Sequence, residues 1–143
     1  MSDRLPFFVY GTLRPGERNH AAFLRGRLAD FAPARLPDTA LYEGPGYPYA
    51  VETPGAGPVH GDLLTPYPET YEPLLTALDR LEEYVPGDPR SLYVRVAREV
   101  TRADGTTARA WVYVAAPRLA TRLRATAAPL REHAWTGERA TGA

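Results

Sequence analysis

The chain of 143 residues contains no cysteine and no lysine, so all seventeen of its basic side chains are arginine. Without cysteine there are no disulfides, no thiolate nucleophiles and no cysteine-containing metal sites. Without lysine there is no Schiff-base amine, no phosphate-loop lysine and no lysine general base. Serine occurs only at Ser2 and Ser91, neither within a nucleophile elbow, which leaves a Ser-His-Asp enzyme poorly supported. An excess of one charge is missing too: seventeen acidic residues balance the arginines, which argues against a nucleic-acid or membrane-surface partner. No run approaches the ~18 apolar residues of a membrane span. The short apolar run near the N-terminus is not followed by a small-residue cleavage pattern, so a cytoplasmic location is expected. His20, His60 and His133 lack metal-ligand spacing, and a metal site is not expected. Heavy Arg, Ala, Pro and Gly usage fits a GC-rich coding bias.

What is present is ordinary globular material: 44% hydrophobic and 24% charged residues, one domain over residues 1–143. Leu5 to Tyr10 is apolar on both faces and predicts a buried strand. It stops at Gly11-Thr12-Leu13-Arg14-Pro15-Gly16, a loop signal. Asn19 is placed to cap a short helix through Arg25, with Ala22 and Phe23 facing inward. Leu28 to Leu36 is strand-like, and Pro33 assigns it to an edge or a bulge. Short strands follow at Ala40 to Tyr42, Tyr49 to Glu52 and Val59 to Leu64, separated by Gly-Pro turns. Leu74, Leu75, Leu78 and Leu81 predict a helix over Glu72 to Glu83, with Pro73 in its first turn. Leu92 to Thr101 and Thr107 to Val114 flank Asp104-Gly105 as a hairpin. An Ala- and Arg-rich segment from Pro117 holds one further helix. The class is α+β, with a barrel-like sheet closing the many short strands.

Two places can carry chemistry. The glycine-flanked loop allows close backbone approach to a ligand and can turn several N–H groups toward a carboxylate or developing oxyanion. The simpler reading is a turn leaving a core strand. Glu82 lies one turn beyond Leu78 on the edge of the buried stripe, whereas Glu83 falls some 100° further round and is expected in solvent. A carboxylate against an apolar face has a raised pKa, as general acid/base work near neutrality requires. From the residues alone, a surface glutamate paired with Arg80 or Arg95 is the simpler reading. Tyr93, Arg95, Trp111 and Tyr113 occupy alternate positions of two strands, either walling a pocket or packing across the sheet.

Phe8-Val9-Tyr10-Gly11-Thr12-Leu13-Arg14-Pro15-Gly16 resembles the signature loop of the γ-glutamylcyclotransferase-like proteins, nearest the branch of γ-glutamylamine cyclotransferase and the AIG2-like proteins. Further resemblances follow in order: Tyr47-Pro48 at the start of a strand, Val59-His60-Gly61-Asp62-Leu63, Leu78-Asp79-Arg80-Leu81-Glu82, Tyr93-Val94-Arg95, and Ala110-Trp111-Val112-Tyr113. The match covers a core of about 5–116, and 117–143 match loosely, at Ala134-Trp135. Relatives often carry glycine where this chain has Glu83, and the segment Val85 to Leu92 is long enough to act as a lid.

The resemblance implies a six- or seven-stranded barrel-like mixed sheet flanked by helices, with one cavity. It assigns binding of a small γ-glutamyl substrate to Tyr10, Gly11, Thr12, Leu13 and Tyr93, and the acid/base role to Glu82. The implied reaction needs no cofactor: the substrate's α-amine attacks its own γ-amide carbonyl, giving 5-oxoproline and a free amine. The alternatives are a different acyl-transfer or amide-cleaving enzyme on the same scaffold, or a non-catalytic module binding a γ-glutamyl-like ligand. Neutral charge is compatible with self-association without requiring it, and the oligomeric state is unknown.

Overall fold

The computed structural model describes residues 4–17, 19–131 and 133–135. Among these, the elements follow in the order β1 (Phe7–Val9), α1 (His20–Phe23), β2 (Leu28–Leu36), β3 (Thr39–Glu43), β4 (Pro48–Glu52), β5 (Val59–Pro66), a 3-10 turn at Pro68–Thr70, α2 (Tyr71–Leu81), β6 (Tyr93–Arg102), β7 (Thr107–Ala115) and α3 (Pro117–Thr126). No helix of the described residues is long and apolar enough to cross a membrane.

Five strands close a barrel in the order β1-β5-β2-β6-β7, and β3 and β4 form a ribbon of their own. The antiparallel partners are long: β2 runs beside β5 from Leu28↔Pro66 to Leu36↔Val59, and β6 beside β7 from Tyr93↔Ala115 to Thr101↔Thr107. The seam is short. β1 meets β7 in parallel at Phe7↔Trp111, with the Trp111 N–H donating to the Pro6 carbonyl at 2.9 Å. The expectation of six or seven strands in one barrel is therefore corrected to five plus a ribbon. After β2 the chain reverses at Asp38, which adopts a left-handed backbone with φ 54°. Its carboxylate accepts the Gly55 N–H at 2.9 Å, its carbonyl accepts the Thr53 N–H at 2.9 Å, and β3 is led onto β4 instead.

The core explains why β1 reads as apolar on both faces. Phe7 and Val9 pack with Leu74 and Leu78 of α2. Phe8 and Tyr10 point to the opposite side, with Val112, Val114 and Trp135. Alternation along a strand produces this split, and both faces are covered. Pro33 sits where its missing donor does no harm: β2 meets β6 only at Ala34 and Arg35, so its first half is an edge on that side. A register shift between Leu28 and Asp30 adds the bulge.

The first helix is shorter than expected, four residues, and Asn19 does not cap it by its side chain. Ala22 is exposed and Phe23 half-buried; Leu24, 1% exposed, is the residue that reaches the core. The cause is Gly26, whose φ of 80° turns the chain before a second turn of helix can form.

Candidate active site

One cavity of about 330 Å³ opens beside the C-terminal end of α2. All six residues singled out from the sequence, Tyr10, Gly11, Thr12, Leu13, Glu82 and Tyr93, line it, joined by Asn19, Tyr47, Pro48 and Tyr113. Residues separated by up to 103 positions are thus gathered by barrel closure.

The loop after β1 is held rigidly. The Arg14 N–H closes back on the Gly11 carbonyl at 3.0 Å and the Asn19 N–H on the Thr12 carbonyl at 2.9 Å. The Asn19 side-chain amide donates from Nδ2 to Thr12 Oγ1 at 2.9 Å, which turns the side chain toward the loop. His20 Nδ1 lies 2.9 Å from the Leu13 carbonyl. From β5, Asp62 fixes Arg14 through an Nε–Oδ2 contact of 2.7 Å. These bonds consume the loop's carbonyls, whereas among the described residues no acceptor takes the N–H groups of Gly11, Thr12 or Leu13. A buried or half-buried N–H without a protein acceptor is ready for a ligand. Glycine at 11 is required by space: a Cβ there would lie 2.9 Å from Pro48 Cδ and 3.0 Å from Pro48 Cγ. Gly61 has the same origin, since a Cβ would come within 2.3 Å of the Val9 carbonyl.

Glu82 follows α2 directly as its C-cap residue, its N–H bonded to the Leu78 carbonyl at 3.0 Å. The helix ends here because Glu83 takes φ 53°. The Tyr84 N–H then reaches the Asp79 carbonyl at 2.8 Å and the Glu83 N–H the Arg80 carbonyl at 3.1 Å, the paired bonds of a Schellman ending. The expected helix to Glu83 is therefore two residues too long. A left-handed backbone at this position is one that glycine adopts without strain.

The carboxyl group of Glu82 is half-buried. Its exposed side faces the cavity; packing on the other sides withdraws solvent, and burial alone pushes its pKa up to about 7. Pairing with Arg80 or Arg95 does not occur: Arg95 binds Asp79 instead, Nε to Oδ1 at 2.9 Å and Nη2 to Oδ2 at 3.3 Å.

Three tyrosines surround Glu82, and their hydroxyls are occupied. Tyr10 donates to the Tyr113 carbonyl and accepts from the Ala50 N–H at 3.3 Å. Tyr93 donates to the Pro48 carbonyl at 2.6 Å. Tyr113 donates to Asp79 Oδ1 at 2.6 Å. Burial pushes all three phenols up, so they remain protonated at neutral pH. Tyr10 and Tyr93 therefore offer the cavity ring faces and a fixed scaffold, not free hydroxyls. The row Tyr93, Arg95, Trp111 and Tyr113 divides: Tyr93 and Tyr113 face the cavity, while the Arg95 guanidinium stacks over Trp111 at 4.4 Å. Tyr113 was a pocket-wall alternative in the sequence and does line the cavity; Asp79 and Asn19 were not singled out as site residues, because their contacts are announced by no local pattern. Among the described residues no three His, Cys, Asp or Glu side chains converge as metal ligands.

A small barrel with a cavity lined by a glycine-bearing loop and a helix-end glutamate defines a recognisable class. The family described as γ-glutamyl cyclotransferase, AIG2-like, matches residues 7–136, and the chain belongs to it. Among curated proteins it is 39% identical over 113 residues to the γ-L-glutamyl-butirosin B γ-glutamyl cyclotransferase of Niallia circulans. That match covers 75% of this chain and 64% of the relative's length, so the chain spans less than two thirds of it. Among solved structures, an AIG2-like protein from Mus musculus superposes with a TM-score of 0.67 at 24% identity, covering 92% of this chain and 88% of the other. YkqA from Bacillus subtilis gives 0.62 at 20% identity, over 92% of this chain and 39% of its own. At those identities the likeness is one of fold.

Proposed function

We propose that the chain is a cyclotransferase that releases 5-oxoproline and a free amine from a γ-glutamyl amine or γ-glutamyl amino acid. The observation that carries the reading is Glu82, a carboxyl group with its pKa raised to about 7 by burial, lining the same cavity as three loop residues whose N–H groups have no protein acceptor. Family membership and the cyclotransferase relative support it. The relative's name gives γ-L-glutamyl-butirosin B as the compound it acts on.

The substrate supplies its own nucleophile, which suits a chain without lysine or cysteine. The α-nitrogen forms a bond to the γ-carbonyl carbon, and the bond from that carbon to the amide nitrogen breaks. Across the reaction two protons leave the α-ammonium and two arrive on the departing nitrogen. The Glu82 carboxylate carries them one at a time, taking from the first nitrogen and giving to the second. Loop N–H groups of Gly11, Thr12 and Leu13 hold the α-carboxylate or the negative charge developing on the γ-oxygen. The aromatic walls, Tyr93 and Tyr113, fold the flexible glutamyl chain into the reactive conformer.

The test is a panel of γ-glutamyl amines and γ-glutamyl amino acids assayed for 5-oxoproline. Release from one class, abolished in Glu82→Gln, is the expected result. Turnover retained in Glu82→Gln overturns the mechanism. Silence across the panel, with a γ-glutamyl compound bound at the loop, favours the non-catalytic binder.

A further inference from the structure

The loop after β1 holds a donor that its backbone does not supply. Thr12 is buried, 9% exposed, and lines the cavity. A threonine hydroxyl has one proton to give and lone pairs to receive. One lone pair is filled, by Asn19 Nδ2 at 2.9 Å. Among the described residues no oxygen accepts the proton of the Thr12 hydroxyl. The loop carbonyls beside it already have donors: the Arg14 N–H on Gly11, the Asn19 N–H on Thr12 itself and His20 Nδ1 on Leu13.

Asn19 grips Thr12 at two points, the backbone N–H on the Thr12 carbonyl at 2.9 Å and the side-chain amide on Oγ1. The second contact sets the hydroxyl rotor, because a proton cannot point at the N–H that donates to its own oxygen. The first contact acts on another donor of the loop. The Thr12 carbonyl belongs to the peptide unit whose nitrogen is that of Leu13, and a hydrogen bond to the oxygen of a peptide strengthens the donor at its nitrogen. Helix α1 has no use for this side chain, which makes no cap bond. Asn19 is half-buried and itself lines the cavity.

We infer that Asn19 is a positioning residue of the reaction, which acts through Thr12 to present the threonine hydroxyl as a donor to an anionic oxygen of the γ-glutamyl group. The inference rests on the cyclotransferase reading and adds a side-chain donor to the loop N–H groups. Two substrate oxygens have this chemistry. The α-carboxylate is charged throughout, and the γ-oxygen becomes charged only while the α-nitrogen bonds to its carbon. A fixed neutral dipole serves either, and among the described residues no arginine lines the cavity to compete for them.

Thr12→Val, Thr12→Ser, Asn19→Ala and the Thr12→Val/Asn19→Ala double variant are assayed on the γ-glutamyl substrate that the wild type turns over best. Thr12→Val keeps the shape and deletes the donor, with an expected loss of roughly 10- to 100-fold in kcat/KM. Thr12→Ser keeps the hydroxyl and is expected within about threefold of the wild type. Asn19→Ala frees the rotor, with an expected loss of roughly three- to tenfold. In the Thr12→Val background the same change is expected to cost less than about twofold, since no hydroxyl remains to be held. Calorimetric titration with 5-oxoproline separates the two oxygens. A loss of affinity in Thr12→Val that matches its loss of kcat/KM puts the hydroxyl on the α-carboxylate, and unchanged affinity with a lowered kcat puts it on the γ-oxygen. Thr12→Val with wild-type kcat/KM, or losses in the two single variants that multiply in the double, overturns the inference and leaves the cyclotransferase reading standing. The two Thr12 variants decide the matter on their own if Asn19→Ala fails to fold. Absence of 5-oxoproline from every γ-glutamyl substrate with folded wild-type protein overturns that reading, and this inference with it.

Discussion

Asp79 accepts the Tyr113 hydroxyl at 2.6 Å while gripping Arg95 through both of its oxygens. One carboxylate thereby ties the last turn of α2 to the two strands that form the far wall of the cavity. Asp79 stands three residues before Glu82, at the same helix end, so the network braces the turn that presents the Glu82 carboxyl to the cavity. Arg95 is in turn sandwiched against Trp111, whose indole N–H donates to the Tyr71 hydroxyl at 3.1 Å. The brace runs from the end of the helix back to its beginning.

Breaking this brace is expected to separate stability from chemistry. Tyr113→Phe removes one neutral-to-charged hydrogen bond and is expected to cost about 1–2 kcal/mol. Asp79→Ala strands both a largely covered guanidinium and a buried hydroxyl, with an expected cost of about 2–4 kcal/mol. Urea denaturation of the two single variants and the double variant gives the coupling directly. A coupling energy near zero contradicts a shared network.

The Glu82 carboxyl makes a prediction about rate. Its pKa of about 7 means that the base form is lost as the pH falls through neutrality. The kcat/KM for a γ-glutamyl amide is expected to rise with pH across an acid limb centred near 7. An acid limb centred near 4.5, the value of an ordinary glutamate, removes burial as the tuning device.

The same group makes a prediction about stability, with a definite sign. Its folded pKa lies above the unfolded value of 4.5, so the folded protein holds the proton longer. The stability this contributes is complete below about pH 4.5 and is lost as the pH rises through about 7. Glu82→Gln, neutral at every pH, is therefore expected to melt a few degrees above the wild type at pH 8. The difference is expected to vanish toward pH 4. A gap that is constant with pH contradicts the assignment.

Glycine replacements rank themselves by what the new methyl group meets. At Gly61 it meets the Val9 carbonyl at 2.3 Å, a backbone atom locked in the β1–β5 ladder, and Gly61→Ala is expected to prevent stable folding. At Gly11 it meets the Pro48 ring at 2.9 Å, which can shift by a few tenths of an ångström. Gly11→Ala is expected to fold with a loss of about 1–3 kcal/mol and to raise KM by displacing the loop amides. Thermal melts of both variants give the order; a milder Gly61→Ala reverses the argument from space.

Removing strain has the opposite sign. Glu83→Gly is expected to raise stability by about 1 kcal/mol, read from a urea midpoint that rises with an unchanged slope. A stability equal to or below that of the wild type shows that Glu83 is held by a contact.

Much of this was legible in the sequence, and for local reasons. Leu74, Leu75, Leu78 and Leu81 carry a helical period, so α2 follows from spacing alone; spacing puts Glu82 only at the edge of the buried stripe, where a surface glutamate is the simpler reading. Asp104-Gly105 marks the β6–β7 turn, and the double-sided apolarity of Phe7 to Tyr10 marks a strand covered on both faces. The loop and Glu82 stood out as a pair through the resemblance of motifs in order along the chain. What could not be read was long-range. Asp79 and Arg95 are neighbours only because β6 passes behind α2, and the choice of Asp79 over Glu82 as Arg95's partner is a matter of ångströms. The segregation of β3 and β4 into a ribbon depends on one left-handed aspartate, Asp38, which no hydrophobic pattern announces. Asn19 looked like a helix cap because asparagine serves there so often; its side chain makes no cap bond and its Nδ2 donates to Thr12 Oγ1.

The seam between β1 and β7 has a consequence for how the protein comes into being. The strand that carries the loop is secured on one side by β5 and on the other only through residues near Trp111, and the Tyr10 hydroxyl waits for the carbonyl of Tyr113. Tyr10 and Tyr113 lie 103 residues apart, so the loop is synthesised well before the wall that fixes it. A nascent chain short of β7 has Glu82 and the loop amides but no means of holding them face to face. The cavity is therefore completed only once β7 is in place, and a chain terminated before Tyr113 lacks the wall that closes it.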